Sequence, residues 1–343
     1  MVNILFATNR NEVGAGTLSP FGTDGISSNQ NLFYGTATVD QININAPSSG
    51  TITAIDYKSQ VSFSQDQLAP LLASSNDVLL FVHGCANDFT DSITRAAYNQ
   101  TWLAASNLAN STFDVIAFSW PARSYFMANI LGDYADYRAD QAAATGSAAF
   151  FSSFLGIIGG LRGQIPRKRR MNLLCHSMGN FMLGGVLPNF VAGNSRGMPI
   201  FDEIVLAAAD EPANTFNVPN PARFSGLNAV GREITIYFNN NDIAMDLSHL
   251  VNSDYRLGYD GPANMADTTF FPPSCYKFVD CTGVNDYISD WITAPDRSHQ
   301  YYRQSPTVRK DIVMSLAGFT PTRSKYDPKA NSYSLFPSGR ASA

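Results

Sequence analysis

The chain has 343 residues, 15% of them charged, and a formal net charge of −5 at pH 7. Sparse and mildly acidic charges do not favour a surface that follows a phosphate backbone, so we expect no nucleic-acid partner. The length suits one large α/β unit with additions and a sizeable core.

Residues 1–76 are rich in Asn, Ser, Thr and Gly and predict a β-rich extension packed on the edge of a sheet. Three runs have strand character, Asn3–Thr8, Leu32–Val39 and Thr51–Tyr57, and the segments between them, such as Gly14–Gly25, have the composition of loops. Met1–Asn9 has neither a basic segment nor a long apolar one, so no signal peptide is visible and a cytoplasmic location is expected.

Residues 77–320 alternate short apolar runs with helical stretches, a pattern typical of a parallel sheet that is buried on both faces. The predicted strands are Val78–Val82, Asp114–Ser119, Met171–Cys175, Ile204–Ala208, Ile234–Phe238 and Tyr276–Val279. The predicted helices are Thr90–Asn110, Tyr134–Leu155, Asn180–Val191 and one after the N-cap pair Ser305-Pro306. This order predicts a doubly wound α/β domain. The Ser-, Pro-, Lys- and Asn-rich tail, residues 321–343, is expected to be loosely ordered.

The remaining composition signals are weak. The longest apolar stretch, Ala148–Leu161, is interrupted by serines and glycines and is too short to span a bilayer, so no stable membrane insertion is expected. The basic run Arg167–Arg170 directly precedes a strand and is interpreted as a solvated loop. The four cysteines lack the paired spacing of a zinc site and no His-x-x-x-His pair occurs, so neither a metal nor a cofactor is expected.

The pentad Cys175–Gly179 lies between an apolar strand and a helix, with Ser177 at its centre. A serine at a sharp strand-to-helix turn has its hydroxyl pushed out of the sheet, which is the geometry of a nucleophile elbow. The turn requires small residues on both sides; Gly179 meets this requirement and Cys175 meets it in part. The N–H of Met178, at the start of the following helix, would favour a developing oxyanion.

A serine nucleophile needs a base, and the chain has four histidines. His299 follows the last predicted strand, where a chain order of serine, acid, histidine places the base. His176 is held beside the serine and cannot turn to take its proton, and a structural role is expected for His83. His249 follows Asp242 too closely for a strand to intervene.

Two aspartates are candidates for the acid that orients the histidine ring. Asp242 follows the strand Ile234–Phe238 and a short Asn loop, which is the usual acid position. Asp210 follows the preceding strand, Ile204–Ala208, whose end can reach the same point, and it remains the alternative.

Four motifs resemble those of an α/β-hydrolase family long catalogued as a domain of unknown function, whose members are regarded as esterases or lipases. The motifs are Phe81-Val82-His83-Gly84, Phe118-Ser119-Trp120-Pro121, His176-Ser177-Met178-Gly179 and His299-x-Tyr301-Tyr302. The resemblance covers about residues 77–316 and implies the α/β-hydrolase fold. It also implies that Ser177 is the nucleophile, Asp242 the acid and His299 the base. The backbone N–H groups of Met178 and of the Gly84-Cys85 turn would form the oxyanion hole.

These observations predict a serine hydrolase that cleaves a small-molecule or polymeric carboxylic ester through an acyl-enzyme. The short segment between residues 210 and 234 predicts an open site, with Trp120, Tyr125 and Phe126 either as its walls or as packing of the helix layer. The alternatives are a non-catalytic α/β-hydrolase-like binding protein, or an acyltransferase, lactonase or thioesterase with the same triad. The sequence does not fix the oligomeric state.

Overall fold

An 11-stranded mixed sheet forms the centre of the protein. The structure, a computed structural model, describes residues 1–124, 134–193, 199–216, 222–288, 298–323 and 326–337. The strands are β1 Val2–Thr8, β2 Arg10–Glu12, β3 Phe21–Gly25, β4 Phe33–Asp40, β5 Thr51–Ser59, β6 Asp77–Val82, β7 Phe113–Ser119, β8 Met171–His176, β9 Phe201–Ala207, β10 Gly231–Phe238, β11 Tyr276–Asp280, β12 Tyr326–Asp327 and β13 Ser332–Ser334. The helices are α1 Gln65–Ala73, α2 Phe89–Ala104, α3 Ala135–Arg162, α4 Met178–Gly193, α5 Leu227–Val230, α6 Ile243–Asn252, α7 Leu257–Asp260, α8 Tyr301–Gln304 and α9 Pro306–Leu316.

The strand order across the sheet is β12-β13-β11-β10-β9-β8-β6-β7-β1-β4-β5. All neighbours from β13 to β1 pair in parallel, whereas β4 pairs antiparallel with both β1 and β5. The fold is therefore an α/β-hydrolase arrangement with antiparallel N-terminal strands, as predicted. Each predicted strand is present, with ends within three residues of the prediction.

The central strands are buried because helices cover both faces of the sheet. On β6, Val78, Leu80 and Val82 pack into the core beneath α3 and α4, while Leu79 and Phe81 pack into the core beneath α2 and α9. Every residue of β6 and β8 is buried. Since burying one such side chain contributes about 1.5–3 kcal/mol, these two cores fix the register of the sheet.

The structure corrects two sequence predictions. Helix α2 ends at Ala104 instead of reaching Asn110, because the chain turns with positive φ at Asn107 (54°) and Asn110 (58°). Residues 10–25, predicted as loop, contain the β2–β3 ribbon. Within the tail, β13 pairs with β11 through backbone hydrogen bonds, which need no apolar side-chain pattern.

Helix α3 is longer than predicted and has 28 residues. Of the described helices it alone is long and apolar enough to cross a bilayer by length and composition, and 33% of its most apolar window is buried. Phe151, Phe154 and Ile158 of α3 lie in the core against the sheet. The core helices of soluble proteins can have the same length and composition, so this finding is weak evidence for a membrane span.

Candidate active site

Ser177 occupies the turn between β8 and α4 with a φ of 54°, a left-handed conformation that costs a non-glycine residue about 1–3 kcal/mol. Its N–H donates to the carbonyl of Ala207 at 3.0 Å. Its own carbonyl accepts from the N–H groups of Asn180 (3.0 Å) and Asp210 (3.2 Å). These hydrogen bonds, together with one from the Asn180 side-chain amide, hold the serine in its strained conformation.

Glycines make room for this turn. A Cβ on Gly179 would lie 2.6 Å from the carbonyl oxygen of His83, and one on Gly84 would lie 2.6 Å from the Cβ of Ser177. Cys175, on the other side of Ser177, has a side chain that is fully buried in the core beneath α3 and α4. Burial raises the pKa of the Cys175 thiol, so the cysteine stays neutral and packs as a small apolar residue.

Ser177, His299 and Asp242 form one hydrogen-bonded chain. The Nε2 of His299 lies 2.8 Å from the Oγ of Ser177, and its Nδ1 lies 2.8 Å from an Oδ2 of Asp242. A carboxylate only accepts, so Nδ1 carries the ring proton and Nε2 is left to accept from the serine hydroxyl. Ser177, His299 and Asp242 are 1%, 3% and 0% exposed, so bulk water does not compete for these bonds.

Helix α6 orients the Asp242 carboxylate. Asp242 is the N-cap of this helix, and its Oδ1 accepts from the N–H groups of Ala244 (3.0 Å) and Met245 (3.2 Å). The other carboxylate oxygen is thereby left for His299. Burial raises the pKa of Asp242, while His299 and the two amide donors act in the opposite direction.

Asp210, the alternative acid, has different partners. Its two carboxylate oxygens accept from the hydroxyls of Tyr137, at 2.8 Å, and Ser248. The guanidinium of Arg256 lies 3.7 Å away. The structure therefore brings Asp242, and not Asp210, against His299, and it places Asp210 in a buried polar cluster below the serine turn.

His176 supports the loop that carries His299. Its Nε2–H donates to the backbone carbonyl of His299 at 3.2 Å, and its ring packs against that of Tyr302 with centroids 4.7 Å apart. Burial lowers the pKa of His176 well below its usual value, so the ring is neutral at physiological pH. The sequence analysis only excluded His176 as the base, and its position beside Ser177 was the one available signal for this contact.

Two backbone segments face the serine from the β6 and α4 sides. Met178 is the first residue of α4, so its N–H has no acceptor within the helix. The Gly84-Cys85 turn is held by Asn87, whose side-chain amide donates to both carbonyls of the turn. The N–H of Ala86 donates to the Asp140 carboxylate at 2.9 Å. The predicted oxyanion-hole residues therefore lie on a braced loop and at a helix N-terminus, next to Ser177.

The family model described as alpha/beta hydrolase of unknown function (DUF900) matches residues 40–315. The chain belongs to this family. The match confirms the resemblance seen in the four motifs and extends it toward the N-terminus. No individually curated protein sequence matches the chain.

Two solved structures are similar to this DUF900 chain at low levels. Phospholipase PlaB from Legionella pneumophila, in complex with thio-NAD, is 15% identical with a TM-score of 0.20 and covers 66% of this chain. The similarity spans 41% of the phospholipase chain. Polyneuridine aldehyde esterase is 15% identical with a TM-score of 0.23, and the similarity covers 71% of this chain and 88% of the esterase. Neither structure informs the substrate of the DUF900 protein.

A buried arginine braces the site of this DUF900 member from the N-terminal side. Arg10 donates to the carbonyls of Asn87 and Ala122, both at 2.8 Å, and to the Oγ of Ser119 at 2.9 Å. It also reaches the carbonyl of Gly22 at 3.1 Å. Burial lowers the pKa of Arg10 to about 9, so the guanidinium remains charged at neutral pH. Arg10 thus joins the N-terminal strands to the loop that contains Gly84 and Cys85.

Trp120 does not form a wall of an open site. It is 0% exposed, its ring stacks on His83 with centroids 5.1 Å apart, and its indole N–H donates to the His83 carbonyl at 2.8 Å. This is the packing role that the sequence analysis kept as the alternative. Tyr125 and Phe126, the other predicted wall residues, lie outside the described residues. Ser177 itself is 1% exposed.

Among the described residues no group of His, Cys, Asp and Glu side chains is arranged to hold a metal ion. All four cysteines are among these residues, and no disulfide links them.

Proposed function

We propose that the protein is a serine hydrolase that cleaves carboxylic esters through an acyl-enzyme formed on Ser177. The observation that carries this proposal is the chain of 2.8 Å hydrogen bonds from Asp242 through His299 to Ser177. The serine follows β8 directly, at the carboxyl edge of the parallel strands, where ligands bind in open α/β sheets. Catalysis gives a reason for the strained backbone of Ser177 and for its hydrogen bond to His299, whereas simple binding gives none.

In the first step, His299 Nε2 takes the hydroxyl proton while the Ser177 Oγ attacks the ester carbonyl carbon. Asp242 stabilises the imidazolium that forms and does not itself take up the proton. The oxyanion accepts hydrogen bonds from the N–H of Met178 and from the Gly84-Cys85 turn. Each such donor contributes about 3 kcal/mol of transition-state stabilisation.

The tetrahedral intermediate then collapses, and the imidazolium of His299 gives its proton to the departing alkoxide, which leaves as an alcohol. In the second half, His299 takes a proton from water, and the resulting hydroxide attacks the acyl-serine. Collapse returns the proton to the Ser177 Oγ and releases a carboxylic acid. The same groups would act on a thioester or a lactone, or transfer the acyl group to another acceptor. Which of these occurs depends on the acceptor that reaches the acyl-enzyme.

A fluorophosphonate probe tests the nucleophile directly. The purified wild type is incubated with the probe, analysed by intact mass and assayed with p-nitrophenyl esters, beside Ser177→Ala and His299→Ala. We expect one adduct on the wild type, and loss of both label and turnover in the two variants. Ser153→Ala is the matched control, because Ser153 is exposed on α3, away from the triad, and should label like the wild type.

A folded wild-type protein that takes no label and turns over no ester would contradict the proposal and favour the non-catalytic binding protein. Labelling that persists in Ser177→Ala would place the nucleophile elsewhere.

A further inference from the structure

One cavity lies far from Ser177. It has a volume of about 750 Å³ and is bounded by the C-terminal halves of α3 and α4 and by the starts of β9 and β10. Its lining includes Arg167, which precedes β8, whereas Ser177 follows β8. Helix α4 begins at the serine turn and reaches the cavity at Gly193, and its 16 residues span about 24 Å. The cavity is thus at the opposite edge of the sheet from the triad.

The floor of this cavity is apolar. Leu155, Phe190 and Ile200 contribute side chains, and Gly156 and Gly159 of α3 contribute none. A Cβ on Gly156 would meet no heavy atom within 4 Å, so the absence of a side chain leaves open space instead of relieving a clash. Glycine weakens a helix interior relative to alanine. A larger side chain at Gly156 would therefore take up space in the cavity lining.

The rim of the cavity is cationic. Arg162, Arg167 and Arg232 line it, and Asp202 pairs with Arg162 at 3.5 Å and with Arg232 at 3.4 Å. Arg167 is exposed. The ends of α3 and α4 each add about half a negative charge through their last carbonyls. Three guanidiniums outweigh this carboxylate and the two helix ends, so the rim keeps a positive charge.

We propose that this cavity binds the anion of a fatty acid with a chain of about twelve carbons. The acyl chain would lie on the apolar floor along Gly156 and Gly159, and the carboxylate would bind the guanidiniums of Arg167 and Arg232. Arginine matches a carboxylate with two parallel hydrogen bonds. The volume is within the range of about 300–1,000 Å³ that is typical of small-molecule sites. The proposal does not depend on the activity of Ser177.

Laurate binding, measured by titration calorimetry below its micelle concentration, tests the proposal. We expect saturable binding to the wild type and none of dodecyltrimethylammonium, which has the same chain and the opposite charge. The double variant Arg167→Glu, Arg232→Glu should bind laurate at least tenfold more weakly. The matched control Lys58→Glu, on exposed β5, should bind it like the wild type.

Gly156→Leu places an apolar side chain in the cavity and leaves the charges of its lining unchanged. It should fold, because its Cβ meets open space and leucine is the better helix former, and a thermal melt checks this. We expect it to lose laurate binding and to keep the wild-type response to the fluorophosphonate probe.

Three results would overturn the proposal: no laurate binding to the wild type, equal binding of the cationic amphiphile, or undiminished binding to folded Gly156→Leu. The last would place laurate elsewhere, including the site of Ser177.

Discussion

The side chain of His176 holds the backbone of His299. The donated hydrogen bond spans 3.2 Å from Nε2 to the carbonyl oxygen, and the two ring centroids are 4.8 Å apart. The ring of His299 accepts from Ser177, which is the next residue after His176 in the chain. Two adjacent residues, His176 and Ser177, therefore both contact His299, although Ser177 and His299 are 122 residues apart in sequence.

Replacing His176 with Phe removes the donor and keeps a ring against Tyr302. One hydrogen bond contributes about 1–1.5 kcal/mol, so we expect kcat on a p-nitrophenyl ester to fall about tenfold with KM unchanged. His176→Gln, which retains a donor, should recover part of this loss. Equal losses in both variants, or an effect on KM alone, would mean that His176 does not position the base.

The two aspartates give a matched pair of variants. Asp242→Asn should lower kcat by about 10³- to 10⁴-fold, because an amide can donate to Nδ1 and so favours the wrong ring tautomer. Asp210→Asn should keep kcat near the wild-type value and lower the free energy of unfolding by about 3 kcal/mol, since buried Arg256 loses its carboxylate. Steady-state kinetics and urea unfolding of both variants check this. The reverse pattern would make Asp210 the acid.

Gly84→Ala tests how closely the β6 loop approaches the nucleophile. The added Cβ would lie 2.6 Å from the Cβ and 3.1 Å from the Oγ of Ser177, so the serine must move. We expect kcat to fall about 10²-fold, because a shift of about 1 Å in a reacting group has an effect of this order. Gly193→Ala is the control, because its Cβ meets nothing within 4 Å. Wild-type kcat in Gly84→Ala would show that the loop yields without disturbing Ser177.

Glu203 gives stability a pH dependence. This carboxyl is buried on β9 and accepts from the Thr235 hydroxyl at 2.7 Å, and burial raises its pKa from 4.5 to about 7. The folded state therefore holds the proton more tightly than the unfolded state between these values, and the free energy of unfolding falls as pH rises through them. Glu203→Gln does not titrate. The free energy of unfolding of Glu203→Gln, relative to that of the wild type, should therefore rise by about 3 kcal/mol between pH 4.5 and 7.

Urea unfolding of the wild type and Glu203→Gln at pH 5 and pH 8 measures this difference. All other titrating groups are shared, so their contributions cancel. A difference that stays constant with pH would show that Glu203 is ionised in the folded protein throughout.

The sheet was predictable because its central strands are buried on both faces. Strands such as β6 and β8 are nearly continuous apolar runs, and the candidate site residues follow directly after them. Ser305 and Pro306 were equally clear, because the Ser305 side chain caps α9 by a bond that local sequence specifies. The order of serine, acid and histidine also indicated Ser177 and His299, and it left Asp210 as the alternative to Asp242.

Contacts between distant segments had no such signal. Arg10 donates to Ser119, 109 residues away in the chain. The sequence around either residue does not predict this hydrogen bond. The sequence left Trp120 either as a wall of the site or as packing of the helix layer, and only the structure shows that it stacks on His83. The choice between Asp242 and Asp210 depended on the path of α6, which the local sequence does not define.

The two ends of the chain cover the edges of the sheet. Strand β1 lies between β7 and β4, and β13 lies beside β11, yet both fall outside the residues 40–315 that define the family match. A fragment trimmed to that match would leave the N–H and C=O groups of β7 and β11 unpaired along open edges. Such edges pair with other chains. We therefore expect a protein shortened to residues 40–315 to aggregate more readily than the full chain.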